Sequence, residues 1–122
     1  MSEKEAQAAI LEWLSLQPFV VAWRNNTTGI YDPHELVFRK SKSKFARNGV
    51  SDILGSWRGR FLAIEVKAPK KRPSETQTKF ITDIRKSGGL ACVACSIDDV
   101  INYLTLEGVL NKTSWVAYGL SI

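Results

Sequence analysis

At 122 residues, 44% of them hydrophobic, the chain has the size of one domain and enough apolar material for one core. No run approaches the ~20 apolar residues a membrane span needs. The opening MSEKEAQAAI is a charged helix start without the apolar centre of a signal peptide, so a cytoplasmic protein is the simplest expectation. The net charge of +5 points towards a polyanionic partner.

In chain order, Glu3 to about Leu16 reads as an amphipathic helix. Ala6, Ile10 and Leu14 recur at helical spacing, and Ser2 with Glu5 has the form of a capping box. Counting ~100° per residue, Glu3 falls on the apolar arc, whereas Glu5 and Glu12 fall on the solvent side. Pro18 closes the helix, and Phe19 to Trp23, apolar and β-branched, reads as a strand ending at Arg24. From Asn25 to Asn48 the chain is polar and basic, with turn signals in NNTTG and YDP. That is long for a structureless loop and suggests a functional or partly disordered segment.

Gly49 opens a hairpin, with strands expected over Val50–Trp57 and Phe61–Lys67 around the turn Arg58-Gly59-Arg60. Pro69 and Pro73 bound a basic loop. Ser74 and Gln77, in capping-box spacing, start a helix to about Ser87 that Gly88 and Gly89 end. Leu90 to Cys95 is a strand, and Ser96 caps a helix containing Val100, Ile101 and Leu104. Trp115, Val116 and Tyr118, near the end, suit either the core or an interface. The order predicts an α/β domain, a mixed sheet flanked by helices, spanning residues 1–122.

The positive charge is clustered. Arg39, Lys40, Lys42, Lys44 and Arg47 form one run, and Lys70, Lys71 and Arg72 follow Lys67 in a second. Either run alone suits a solvated surface, but two runs flanking the same carboxylates favour a phosphate backbone. Cys92 and Cys95 form a C-x-x-C, yet no other cysteine and only one histidine, His34, exist to complete a zinc site. The pair reads as two small core residues of a strand, and His34 as a loop residue.

Strand alternation puts Leu62, Ile64 and Val66 on one face and Phe61, Ala63, Glu65 and Lys67 on the other. Hairpin pairing can bring Asp52 within reach of Glu65. Two carboxylates on one face repel unless a cation lies between them, and oxygen donors suit Mg²⁺ or Mn²⁺. The same spacing would also serve a salt-bridge ladder on an exposed sheet face. Flanking basic runs and the glutamate on the buried arc of the first helix favour the metal site.

Asp52 followed by Glu65-Val66-Lys67 resembles the D…(D/E)-x-K signature of the PD-(D/E)XK nuclease superfamily. With Glu3, Gly49-Val50-Ser51-Asp52 and Ser74-Glu75-Thr76-Gln77, the ordered pattern over about residues 3 to 104 resembles the VRR-NUC (virus-type replication-repair nuclease) branch. One departure is Ser51, where many relatives carry proline, a position that holds no metal.

The resemblance implies a metal-dependent phosphodiesterase of PD-(D/E)XK nuclease-like fold. Asp52, Glu65 and the main-chain carbonyl of Val66 would hold Mg²⁺ (or Mn²⁺), with Glu3 completing or supporting the site. Lys67 would position the attacking water and help to deprotonate it, and Gln77 would hold Lys67 or the water. The residues Arg39, Lys40, Lys42, Lys44, Arg47, Lys70, Lys71 and Arg72 would grip DNA. Small members resemble Holliday-junction resolvases acting as homodimers, so branched or four-way-junction DNA is the expected substrate. The alternatives are a non-catalytic nucleic-acid-binding module of the same fold and a restriction-type endonuclease. Intact Asp52, Glu65, Lys67 and Gln77 argue against the first, and little room for a sequence-reading element argues against the second.

Overall fold

The computed structural model describes residues 1–25, 30–32, 37–39 and 44–111, with the short segments 30–32 and 37–39 described for their backbone alone. Its elements are α1 (Glu3–Ser15), β1 (Val20–Arg24), β2 (Ile30–Asp32), β3 (Val37–Arg39), β4 (Ile53–Trp57), β5 (Arg60–Val66), α2 (Glu75–Lys86), β6 (Leu90–Ala94) and α3 (Ile97–Leu106). The main sheet has the order β1-β4-β5-β6, antiparallel except for the parallel β5–β6 pair. The crossover from β5 to β6 runs through α2, which supplies the long connection that parallel pairing requires.

Local chemistry sets the helix ends. Both halves of a capping box are formed at Ser2–Glu5 and again at Ser74–Gln77. The side chain of Ser96 caps α3 by accepting from the Asp99 amide.

The sheet separates two apolar layers. On one side Ile53, Trp57, Leu62, Ile64, Val66, Leu90, Cys92 and Ala94 pack against Ala6, Ile10, Trp13 and Leu14 of α1 and Val100, Ile101 and Leu104 of α3. Trp13, an anchor the helical count did not single out, stacks on Trp57 with ring centroids 6.1 Å apart. On the other side Phe80 and Ile81 of α2 cover Ala63 and Ala91, with Val50, Leu54 and Ile84 at the margin. The small alanines let α2 approach the sheet closely.

Three sequence expectations need correction. The segment from Asn25 to Asn48 is not a loop throughout, because β2 and β3 pair antiparallel within it. The first strand of the hairpin starts at Ile53 rather than Val50, leaving Val50, Ser51 and Asp52 as a connector ahead of β4. Of the two cysteines, only Cys92 is buried in the core, where burial pushes its thiol up to about 12. Cys95 lies half-buried past the end of β6 and donates to Asp99 Oδ2 at 3.0 Å. His34, Lys40, Lys42, Trp115, Val116 and Tyr118 lie outside the described residues.

Candidate active site

The site is built where β4 begins and β5 ends. Ile53 pairs with Ile64 and Leu54 with Ala63, and the same register sets Asp52 beside Glu65 on the sheet face that α2 covers. Asp52 is fixed by two main-chain bonds. Its Oδ2 accepts from the Val66 amide at 2.8 Å, and its carbonyl accepts from the Asn25 amide at 2.7 Å. The carboxylate thus bridges from the connector to the last residue of β5.

Glu65 is buried, with 2% relative exposure, in a position where an isolated charge would be costly. Its Oε2 accepts from Gln77 Nε2 at 3.1 Å and lies 3.7 Å from Lys67 Nζ. Its Oε1 is buried and has no hydrogen-bond partner among the described residues. Burial first and the charge of Asp52 second push the Glu65 carboxyl from 4.5 up to about 8, with Lys67 pulling the other way. An orphaned acceptor facing a second carboxylate is a donor set that a cation would complete.

Gln77 is held at both ends. Its Oε1 accepts from the Ser74 amide at 2.8 Å while its Nε2 reaches Glu65. Capping α2 and steadying Glu65 are therefore one arrangement of one side chain.

Gly49 explains how α2 comes so near. Its φ is +75°, and a Cβ there would sit 2.4 Å from the carbonyl carbon of Thr76 and 2.7 Å from the Gln77 nitrogen. Only a glycine lets the connector before Asp52 lie against the first turn of α2. Ser51, two residues on, is fully buried, and its Oγ has no partner among the described residues.

Glu3 does not join the carboxylate pair. Its Oε2 accepts from the Ala68 amide at 2.9 Å, tying the start of α1 to the residue after Lys67. The Lys67 amide itself donates to the Ala94 carbonyl at 3.0 Å, so the backbone that carries Lys67 is pinned from two sides. Among the described residues no group of three or more His, Cys, Asp or Glu side chains converges well enough to hold a metal ion. Among the described residues Asp52 and Glu65 stand as a pair of carboxylates without a third His, Cys, Asp or Glu beside them.

The basic residues divide. Lys70, Lys71 and Arg72 are exposed in the loop beyond Lys67, with Lys70 in the left-handed region at φ 70°. Lys44 is exposed and lies over the ring of Phe45. Arg47, however, pairs with Asp83 and lies 5.3 Å over the ring of Phe80. Lys79 first and Arg47 second hold the Asp83 carboxyl below its usual range. Arg47 therefore fastens the basic segment to α2, a role its place in a charge run did not reveal. The backbone of Arg39 lies in β3.

The VRR-NUC domain family profile matches residues 1–97. The chain belongs to the VRR-NUC domain family. Among solved structures, a chain described as "VRR_NUC domain protein" aligns with a TM-score of 0.57 at 20% identity, over 87% of this chain and 90% of that one, a likeness of fold. No curated protein matches the chain. VRR-NUC membership makes this a nuclease-family domain with nucleic acid as its substrate class. Among the described residues no helix is long and apolar enough to cross a membrane.

Proposed function

We propose that this VRR-NUC domain is a metal-dependent DNA endonuclease that acts on branched DNA, with a Holliday-junction resolvase-like homodimer as its working form. The observation that carries the metal dependence is the Asp52–Glu65 pair, with a buried, unpartnered Oε1 on Glu65. A hard divalent cation such as Mg²⁺ or Mn²⁺ suits that set of oxygens. Asp52, Glu65 and the main-chain carbonyl of Val66 would hold it, and Glu3 would support it by fixing the backbone at Ala68. When bound, the ion supplies Lewis-acid polarisation of the phosphoryl group and lowers the pKa of the attacking water.

The remaining chemistry belongs to the side chains. Hydrolysis adds water across one P–O bond: the attacking oxygen stays on phosphorus and the leaving sugar oxygen takes up a proton. The Lys67 ammonium, beside Glu65, orients the attacking water and stabilises the negative charge that grows as the water loses its proton. Gln77 keeps Glu65 from swinging away, because its amide is already committed to the helix cap. Lys70, Lys71 and Arg72 contact phosphates along the backbone and set affinity without reading sequence.

A two-fold substrate such as a four-way junction would suit a two-fold dimer with two sites. The deciding experiment is cleavage of duplex, flap and four-way-junction DNA with Mg²⁺, with Mn²⁺ and with chelator. Wild-type protein cleaves the junction in either metal, and Asp52→Asn abolishes cleavage while leaving DNA binding intact or tighter. Metal-independent cleavage, or full activity in Asp52→Asn, refutes the site. Equal rates on duplex and junction refute the substrate preference.

A further inference from the structure

The sheet face that bears Asp52 and Glu65 is covered on one side only. α2 lies over β5 and β6 with Leu54 of β4 at its margin, and among the described residues no element covers that face farther out towards β1. Its rungs follow from the register: Asn25 meets Asp52, then Trp23 pairs with Leu54, and Val21 with Ser56, which in turn pairs with Phe61. Alternation along the strand sets Trp23 and Val21 on the side of Asp52. Trp23 is 50% exposed, Val21 63% and Phe61 41%.

A large exposed apolar surface that is contiguous signals recognition, whereas scattered exposed residues do not. Here the strip of Val21, Trp23, Leu54, Ser56 and Phe61 holds no ionisable group. It starts one rung, about 7 Å along the strand, from Asp52.

We propose that this strip is a stacking platform for unpaired nucleobases, with Trp23 taking the base nearest the scissile phosphate. The inference rests on the nuclease reading above and adds to it the source of selectivity. Stacking needs exposed π-faces, and paired bases in a duplex offer none along the helix, so the platform favours single-stranded segments at a branch, flap or end. Two features choose nucleic acid over a second protein copy as the occupant. The strip is continuous with the carboxylate pair, so a protein lying on it would close one approach to Asp52. A polyanion, moreover, meets no acid on the strip itself, while exposed cations lie beyond the site at Lys70, Lys71 and Arg72.

The test compares wild type with Trp23→Ala and Trp23→Phe, full chain, in chelator so that nothing is cut. Fluorescence anisotropy reads binding to a labelled single-stranded oligonucleotide and to a fully paired duplex of equal length. Trp23→Ala weakens binding of the single strand about 10- to 100-fold, the range expected for removing one base stack, and changes the duplex less than about twofold. Trp23→Phe keeps most of the affinity, and all three proteins melt alike because the side chain is half in solvent. Equal weakening on both DNAs, or none on either, overturns the proposal. A shift from dimer to monomer in Trp23→Ala on sedimentation also overturns it and makes the strip a protein interface. Wild-type protein that binds neither DNA overturns the nuclease reading itself, which is a separate outcome from a silent Trp23→Ala.

Discussion

The state of Glu65 in the metal-free protein can be tested without any substrate. A glutamate in the unfolded chain ionises near 4.5, whereas in the fold burial and Asp52 raise Glu65 to about 8. The folded state therefore holds a proton that the unfolded state has released. The stability this group contributes is fully present below 4.5 and is lost as pH rises through about 8. At ~1.4 kcal/mol per pH interval the full span corresponds to ~5 kcal/mol. Lys67, at 20% side-chain exposure, admits water to one side, so a net effect on the order of 2–4 kcal/mol is expected. Glu65→Gln removes the titration and keeps an acceptor for Gln77. In chelator, its stability relative to wild type should be within about 1 kcal/mol at pH 5, rise steadily, and level off above pH 8 with a gain on the order of 2–4 kcal/mol. Thermal melts of both proteins from pH 5 to 9 measure this, and Mg²⁺ should then stabilise wild type and leave Glu65→Gln unchanged. A difference that stays flat from pH 5 to 9, or a mutant less stable at pH 8, would refute the reasoning, because it would mean that Glu65 is comfortably ionised without metal.

Three further outcomes follow from the same geometry. Gly49→Ala adds a left-handed penalty of about 1–2 kcal/mol to a backbone clash with Thr76, so it should lower stability by more than about 2 kcal/mol and reduce cleavage. Gly59→Ala, at φ +93° with nothing within 4 Å of the added Cβ, should show the conformational part alone in denaturant melts. Glu3→Gln keeps an oxygen for the Ala68 amide and removes the charge, so it should leave stability within about 0.5 kcal/mol while raising the metal concentration needed for cleavage. Glu3→Ala should cost about 1 kcal/mol in addition, and Glu12→Gln, on the solvent face, should be silent by both measures. Replacing Lys70, Lys71 and Arg72 with glutamine should flatten the salt dependence of DNA binding by about one unit of slope for each phosphate no longer neutralised, with little change in rate at saturating DNA. An unchanged slope would show that the loop does not meet the backbone.

How far the sequence reaches depends on the range of the interaction involved. Both capping boxes, the hairpin around Gly59 and the division of Leu62, Ile64 and Val66 from Ala63 and Glu65 were legible, since each is fixed within a few residues by hydrogen-bond satisfaction or by the two-residue period of a strand. The hairpin put Asp52 within reach of Glu65, but the register that sets them side by side came from the structure, where Arg60 belongs to β5 and pairs with Trp57 instead of lying in the turn. Spacing did not tell where the separate pieces meet. The bond from Glu3 to the Ala68 amide spans 65 residues, and that between Arg47 and Asp83 spans 36. Nor did it give the fit of Gly49 against Thr76, or the stack of Trp13 on Trp57. Those contacts depend on where α1 and α2 settle on the sheet, which is decided by the packing of whole apolar faces and by small residues such as Ala63 and Ala91 that permit close approach. The exposure of Trp23 has the same origin. In the sequence it belongs to the apolar strand FVVAW, and only the tertiary structure, by laying α2 over β5 and β6, leaves it half in solvent one rung from Asp52.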